Sequence, residues 1–278
     1  MKPLVIYHGN CADGFGAAWC FHYCDPDAFD FHPGVYGETP PDCEGREVYM
    51  VDFSYKRPVV EAMCERARGI TWIDHHKTAW DDLFELVSYG RIVGLYDVER
   101  SGAALAWRYL FGDEHAPKLI SHIEDRDLWR FALPLTREIQ ACVFSHPYNF
   151  EVWDELMASG PNELANMARE GAAIERKHHK DIAELLDVTC RQMEIGGYIV
   201  PVANLPYTLV SDAAHTLAHD QPFAGCYWDT PKGRVFGLRS EENGLDVGEI
   251  AKQYGGGGHK HAAGFTVPYG HPLTLQLS

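Results

Sequence analysis

Basic residues are scarce in this sequence. Its 278 residues include 24 lysines and arginines against 40 aspartates and glutamates, which gives a formal charge of −16 at pH 7. Proteins that bind long nucleic acids neutralise many phosphates with Lys and Arg, so we expect no broad nucleic-acid-binding face. An anionic substrate should therefore be small, or be held mainly by bound metal ions and a few cationic side chains.

Long apolar runs and paired cysteines are also absent. A transmembrane helix needs a run of roughly 18 or more apolar residues, and the sequence has none. The apolar stretch that begins at Met1 is too short for a signal peptide, because it ends at His8. The eight cysteines include no CxxC pair, so neither a disulfide scaffold nor a zinc ribbon is predicted. We expect a cytoplasmic protein with reduced thiols and no membrane contact.

Short apolar runs alternate with helical patterns in the N-terminal half. The runs that predict strands lie at 4–7, 48–53, 70–73 and 92–96. Strand–helix alternation of this kind predicts a parallel sheet with helices on both faces. We therefore assign residues 1–150 to an α/β domain built on a parallel sheet.

The remainder of the chain has a different pattern. A long, charged amphipathic stretch at 161–186 predicts a helix that joins two domains, and we place this helical linker at 151–188. After it, the runs that predict strands lie at 199–203, 223–227 and 235–238. Helical patterns lie between these runs, so residues 189–278 are predicted to form a second, smaller α/β domain.

Several predicted strands end in side chains that can bind metals. These side chains, together with those in the helices that follow, are His8, Asp13, Asp52, Asp74, His75, His76, Asp125 and Asp127. A single Asp after a strand is often only a helix cap or a turn residue. In open α/β sheets, however, ligands bind beyond the carboxyl ends of the strands, so residues at several such ends converge. Oxygen and nitrogen donors of this kind suit Mn²⁺, Mg²⁺ or Co²⁺ better than a structural zinc ion.

The order of the motifs along the chain resembles that of one family. The triplet Asp74-His75-His76 resembles the motif that names the DHH phosphoesterases. The segments 8–18, 51–52 and 123–129 are similar to the first, second and fourth motifs of that family. The C-terminal segments that resemble the DHHA1 domain are 238–240, 246–247, 250–251 and 255–265. The resemblance implies a DHH catalytic domain and a smaller DHHA1 domain joined by a long helix.

The resemblance also implies a site with two divalent metal ions. The implied ligands are Asp52 as the bridge between the ions, Asp13, His75 and Asp125 for one ion, and His8 for the other. Asp74 would orient the imidazole of His75 or His76, as carboxylates next to metal ligands do. His76 would face the phosphate of the substrate.

One position departs from the family pattern. Many members carry a further Asp inside the first motif, where this chain has Asn10, Cys11 and Ala12. Cys11 is either a softer ligand that favours a softer ion, or a buried thiol beside a site completed by water. Both interpretations stay open at the level of sequence.

The glycine-rich segment near the C-terminus is a candidate substrate-binding loop. Successive glycines allow backbone N–H groups to approach an anion closely, and a guanidinium offers a planar fork for phosphate. The simpler alternative is a flexible loop after a helix. The resemblance favours substrate binding by Arg239, Gly256, Gly257, Gly258 and His259. We expect the substrate between these residues and the metals, an arrangement that favours short substrates.

The implied activity is that of a manganese-dependent phosphodiesterase or exonuclease. The resemblance is greatest to nano-RNase (oligoribonuclease) type nucleases, which release nucleoside monophosphates from di- to oligonucleotides. Two alternatives remain: a phosphatase or phosphodiesterase for a mononucleotide, such as 3′-phosphoadenosine phosphate or a cyclic nucleotide, and a non-catalytic RNA-binding module. The predicted site favours an enzyme, because the chain retains Asp13, Asp52, Asp74, His75 and Asp125. The sequence leaves open whether the substrate is RNA or DNA and in which direction it is cleaved. It also leaves open whether the protein forms a homodimer.

Overall fold

The computed structural model describes residues 1–9, 11–112 and 114–276, and it divides into two units. The units are Met1–Glu175 and Arg176–Ser278, so the division falls within the predicted linker. The elements up to the division are β1 Leu4–His8, α1 Ala12–Cys24, β2 Asp30–Gly34, β3 Glu47–Val51, α2 Arg57–Cys64, β4 Gly69–Asp74, α3 Lys77–Ser88, β5 Val93–Tyr96, α4 Gly102–Phe111, α5 Lys118–Asp127, α6 Thr136–Phe144, α7 Phe150–Met157 and α8 Pro161–Thr189. The remaining elements are β6 Cys190–Ile195, β7 Tyr198–Asn204, α9 Val210–Leu217, β8 Ala224–Thr230, β9 Gly233–Arg239, α10 Val247–Lys252, β10 Gly257–Gly258, β11 Ala262–Val267 and α11 Pro272–Leu275.

The first unit contains a five-stranded parallel sheet in the order β2-β1-β3-β4-β5. Side chains alternate along each strand, so Val5 packs with the cluster of α1 and α4. Leu4 and Ile6 pack on the opposite face with residues of α2 and α3. The prediction of a parallel sheet covered by helices on both faces is confirmed.

The strand order of this sheet reverses direction at one point. The chain leaves β1 toward β2 on one side, whereas it runs from β3 through β4 to β5 on the other. The topological switch point therefore lies between β1 and β3. Ligands in doubly wound sheets bind at such points, outside the carboxyl ends of the strands.

The second unit contains a six-stranded mixed sheet in the order β10-β11-β9-β8-β7-β6. Strands β7 and β8 are parallel and flank α9 in the chain, whereas the other neighbouring pairs are antiparallel. Val200, Phe223 and Phe236 are completely buried in its core. The smaller α/β domain predicted for this part of the chain is therefore present.

Helix α8 contributes to both cores. Met167 is buried with the first unit's cluster and Ile182 with a cluster of the second. Helix α7, at the start of the predicted linker, is instead part of the first unit, because Trp153 and Met157 are buried there. Within the described ranges, none of the helices has the length and apolar character needed to cross a membrane.

The sequence pattern does not predict four of the strands, which are β2, β6, β11 and the two-residue β10. Strand β2 contains Pro33 and only one large apolar side chain, so it lacks a strand signature. In β6 only Met193 and Ile195 are buried, which is a weak alternation. Strand β11 follows the glycine run closely, and the pattern there indicates a loop rather than a strand.

Candidate metal centre

Asp52 occupies the centre of a polar cluster at the switch point. It follows β3 directly with a φ of +52°, a left-handed conformation that Asp adopts more readily than most residues. Its side chain is buried, with Oδ1 3.1 Å from His75 Nε2 and Oδ2 3.6 Å from His8 Nδ1. The two oxygens therefore face two different histidines, which is the arrangement a bridging carboxylate requires.

One group of donors surrounds the Nε2 atom of His75. This atom lies 3.7 Å from Asp13 Oδ2 and 3.5 Å from Asp127 Oδ2, in addition to Asp52. His75 follows β4, Asp13 lies in the first turn of α1, and Asp127 is the last residue of α5. Three carboxylates and one imidazole form a donor set that fits a divalent cation.

A second group of donors lies on the other side of Asp52. One ligand atom each from His8, Cys11 and Asp52 lies within 4.8 Å of the others. The Cys11 Sγ is 3.9 Å from Asp52 Oδ2. The exposed ring of Tyr36 packs edge-on against His8 at 5.4 Å, at the rim of this group. With Asp52 shared between both groups, the donor chemistry of the cluster fits a pair of divalent ions.

The pKa values of the clustered side chains are shifted because several acidic groups are buried close together. Burial raises the pKa of Asp13 well above its usual range, and Asp52 and Asp127 add to this effect. Burial also acts to raise the pKa of Asp52, but hydrogen bonds with His75 and His8 outweigh it and hold that pKa well below its usual range. Burial lowers the pKa of His75, but the neighbouring carboxylates raise it well above its usual value. Bound cations would displace the protons held here.

Asp74 is fully buried and orients the histidines that follow β4. Its Oδ1 accepts from the backbone N–H groups of His75 at 2.7 Å and His76 at 3.2 Å. The same oxygen lies 2.7 Å from His76 Nδ1, and Oδ2 accepts from Trp72 Nε1 at 3.1 Å. A carboxylate only accepts, so the contact assigns a proton to Nδ1. Of the two histidines that the sequence leaves open, it is the imidazole of His76 that Asp74 orients.

Asp125 does not join the cluster, although the family resemblance implies that it is a ligand. Its buried carboxylate accepts from Ala132 N at 2.8 Å, Leu133 N at 3.0 Å and Thr136 Oγ1 at 2.6 Å. Burial acts to raise the pKa of Asp125, but these hydrogen bonds lower it overall. Its oxygens are thus committed to the segment after α5, and Asp127 takes its place in the cluster.

Asp13 connects the cluster to the start of α4. Its oxygens accept from Gly102 N at 2.6 Å and Ala103 N at 2.9 Å, and Ser101 caps the same helix through its hydroxyl. A Cβ on Gly102 would lie 2.5 Å from the Cβ of Asp52. The close approach of this helix start therefore fixes both Asp13 and Asp52.

We expect Gly102→Ala to impair the centre by displacing Asp52. The added methyl group overpacks a buried contact, so the variant should lose about 1–3 kcal/mol of unfolding free energy. Displacement of a reacting group by about 1 Å can cost about 100-fold in rate, so turnover and metal affinity should fall together. The matched control is Ser101→Ala, which removes the helix cap at a cost of about 1 kcal/mol but leaves Asp52 in place. Isothermal titration measures the Mn²⁺ affinity of both variants. Equal affinities for Gly102→Ala and Ser101→Ala would contradict the packing argument.

The glycine-rich segment of the second unit forms a tight hairpin. Strand β10 pairs antiparallel with β11, and the His259 N–H donates to the Ala262 carbonyl at 2.8 Å. A Cβ on Gly256 would lie 2.1 Å from a backbone oxygen of β11, and a Cβ on Gly258 would lie 2.5 Å from the Ala262 oxygen. Close backbone packing therefore requires these glycines, and the segment is not a free loop after α10.

Arg239 ends β9 beside this hairpin. Its Cα pairs in register with Ala262, the residue whose carbonyl accepts from His259, so both functional candidates lie at the same end of the sheet. The guanidinium donates to the Leu238 carbonyl at 2.8 Å and to Ser211 Oγ at 3.0 Å, which hold it in place. The structure thus brings Arg239, Gly256, Gly257, Gly258 and His259 together on the second unit.

The C-terminal region is similar to a known family of domains. Residues 209–274 match the family model of the DHHA1 domain. An uncharacterized protein of Acanthamoeba polyphaga mimivirus is 27% identical over 297 residues. That match covers 94% of this chain and 66% of the viral protein, so this chain spans slightly less than two thirds of its relative.

Three solved structures have the same fold as this chain. The DHH domain of a member of a ribosomal protein family has a TM-score of 0.60 at 13% identity, covering 95% of this chain and 82% of that one. The pGpG-specific phosphodiesterase PggH from Vibrio cholerae has a TM-score of 0.52 at 14% identity, covering 97% and 94%. RecJ from Thermus thermophilus, solved with Mn²⁺, has a TM-score of 0.50 at 14% identity, covering 96% and 49%. These likenesses show a shared fold.

Proposed function

Because this chain has the fold of the DHH phosphoesterases and carries a DHHA1 domain, we propose that it is a metal-dependent phosphodiesterase that hydrolyses short oligonucleotides to nucleoside monophosphates. The observation that carries the proposal is the position of Asp52, whose two oxygens face separate donor groups. Retention of both groups around it argues against a module that only binds RNA.

The residues of the first unit would have different roles in the reaction. Asp13, His75 and Asp127 would hold one divalent ion, His8 would hold the other, and Asp52 would be shared. A pair of bound ions supplies Lewis acidity to the phosphoryl oxygens and lowers the pKa of water. His76, kept in one orientation by Asp74, would contact the phosphate through its other ring nitrogen. Mn²⁺ is our first choice of ion, and Mg²⁺ and Co²⁺ are the alternatives.

Two considerations favour short substrates. The formal charge of −16 disfavours binding of a long polyanion, whose affinity depends on many phosphate contacts. The structural relative from Vibrio cholerae is named for pGpG, a linear dinucleotide. Arg239 and His259 of the second unit would then recognise a terminal phosphate, as guanidinium groups do elsewhere.

The function is tested with a panel of labelled dinucleotides and a long single-stranded oligonucleotide. With Mn²⁺ present we expect dinucleotides to be converted to mononucleotides, with kcat/KM at least about tenfold above that for the long strand. Addition of a chelator should stop the reaction. Equal cleavage of the long strand would replace the proposal with a processive exonuclease. Cleavage of neither substrate would point to a mononucleotide phosphatase or a binding module.

Removal of the Arg239 guanidinium should weaken substrate binding without affecting the metals. For Arg239→Ala we expect KM for a dinucleotide to rise by about tenfold or more, because a charge-assisted hydrogen bond to phosphate contributes about 1.5–3 kcal/mol. Metal content should equal that of the wild type. Arg234→Ala is the matched control, since Arg234 lies on the same strand but pairs with Asp229 at 2.8 Å. An unchanged KM in Arg239→Ala would exclude this residue from substrate recognition.

A further inference from the structure

We propose that Cys11 is a thiolate ligand in the half of the centre formed with His8 and Asp52, and that this half prefers a thiophilic divalent cation such as Zn²⁺, Co²⁺ or Cd²⁺ over Mn²⁺ or Mg²⁺. The inference rests on the metal centre of the proposed function and concerns one half of it. It makes the two halves chemically unlike.

The first argument is the spacing of the three donors. The Cys11 Sγ and the His8 Nδ1 lie 3.9 Å and 3.6 Å from the same oxygen of Asp52, and one ligand atom from each residue lies within 4.8 Å of the others. An ion that binds sulfur at about 2.3 Å and nitrogen or oxygen at about 2.0–2.2 Å in a tetrahedron separates its ligands by roughly 3.3–3.7 Å. Side-chain shifts of a few tenths of an ångström would bring the two distances to Asp52 into that range.

The second argument is the position of Cys11 on the backbone. It is the residue immediately before α1 and has an extended conformation, with φ −130° and ψ 136°. Its side chain makes no hydrogen bond that caps the helix. Its Sγ contacts Asp52 instead, so the residue that begins the helix contributes a donor to the cluster.

The two cysteines within α1 show that the contact with the cluster is specific to Cys11. The Cys20 Sγ is buried and contacts the Gly16 and Ala103 carbonyls, which is a packed thiol within the core. Cys24 is exposed at the end of the helix. Neither belongs to the groups of residues that could hold a metal within the described part of the chain. Cys24 therefore offers a matched control for Cys11.

The third argument is the contrast between the two donor sets. Asp13, His75 and Asp127 supply carboxylate oxygens and one imidazole, a set suited to Mn²⁺ or Mg²⁺. The other half replaces one carboxylate with sulfur, and soft thiolate ligands select softer ions. We therefore expect the two halves to fill with different preferences when both kinds of ion are offered.

The test is a Co²⁺ titration of the metal-free full chain with its thiols reduced, followed by absorption spectroscopy. We expect a sulfur-to-cobalt charge-transfer band in the near ultraviolet that saturates at one equivalent per chain. The band should be absent from Cys11→Ser and unchanged in Cys24→Ser. In Cys11→Asp it should also be absent, and the preference for Co²⁺ over Mn²⁺ should fall by at least about tenfold, the lower end of what disturbing a metal's supporting groups costs.

The outcomes distinguish this inference from the proposed function. Cobalt that binds to the wild type without the charge-transfer band would overturn the role of Cys11 while leaving the metal centre in place. A band that survives in Cys11→Ser would assign the sulfur to another cysteine and overturn the inference equally. Failure of the wild type to bind any divalent ion would overturn the centre itself, and the inference with it.

Discussion

Replacing Asp52 with Asn is expected to reduce kcat/KM by about 10⁴-fold or more, equivalent to roughly 5.5 kcal/mol of transition-state stabilisation. Asp52 is the one carboxylate that faces both donor groups, so an amide that offers a single neutral oxygen removes the bridge. The substitution keeps the shape of the side chain and one acceptor, so the metal-free variant should remain folded.

The stability of this variant provides a second measurement. An ion that binds only the folded protein stabilises it, and the rise in melting temperature grows with the logarithm of the ion concentration over its Kd. Mn²⁺ should therefore raise the melting temperature of the wild type but not that of Asp52→Asn. Wild-type turnover in the variant, or the same stabilisation by Mn²⁺, would refute the role of Asp52 as a bridge.

The second large effect distinguishes Asp127 from Asp125, two aspartates of helix α5. We expect Asp127→Asn to lower turnover by about 10³-fold and to weaken metal binding, because it removes a donor close to His75. The metal-free variant should be no less stable than the wild type. Burial raises the pKa of Asp127 and the charge of Asp52 adds to this, so the ionised side chain is disfavoured where it lies.

Asp125→Asn should behave in the opposite way. It weakens three hydrogen bonds to an ionised, buried acceptor, so we expect a loss of about 2–4 kcal/mol of unfolding free energy. The corresponding fall in melting temperature is roughly 4–16 °C for a domain of this size. Metal content should be retained. Loss of metal in Asp125→Asn with retention in Asp127→Asn would reverse the assignment.

The pH dependence of the Asp125 effect follows from the direction of its pKa shift. The folded-state pKa lies below its usual value, so the stabilisation is present above the unfolded-state pKa of about 3.9 and is lost as the pH falls through the folded value. The difference in unfolding free energy between the wild type and Asp125→Asn should thus be constant near neutral pH. It should shrink below about pH 4. A difference that grows on acidification would contradict the hydrogen-bond assignment.

The carboxyl ends of β1, β3 and β4 could be predicted because each strand is a short, buried apolar run followed by a polar residue. His8, Asp52 and the triplet that begins at Asp74 lie at those ends, where the topology brings them together. Strand β2 could not be predicted, because it contains Pro33 and only one of its five residues is buried. It is the edge strand of the sheet, so it needs little apolar character.

The choice between Asp125 and Asp127 could not be made from the sequence. Both lie in the same motif at the end of one helix, and residues two apart on a helix point about 200° away from each other. What decides between them is the fold of the following segment, where Ala132, Leu133 and Thr136 supply donors to Asp125. That segment includes three non-glycine residues with positive φ, at Trp129, Phe131 and Leu135, a conformation that sequence patterns rarely indicate.

Whether Asp74 contacts His75 or His76 could not be predicted from the sequence for a similar reason. A carboxylate before two consecutive histidines can reach either ring, and the turn that follows the strand decides which. Here both backbone N–H groups point at Asp74, and this turn brings the His76 ring back to the same oxygen while His75 reaches Asp52. Local hydrogen bonding of the backbone, rather than residue type, sets the roles of the two histidines.

The most direct test of the central claim is a count of bound Mn²⁺ combined with its electron paramagnetic resonance spectrum. For the wild type saturated with Mn²⁺ as the only divalent ion, two ions per chain and the spectrum of a magnetically coupled pair are expected, since metals in two-metal sites lie about 3.5–4 Å apart. Asp52→Asn should show no coupled signal. A single isolated ion in the wild type, or two ions without coupling, would contradict a binuclear centre bridged by Asp52.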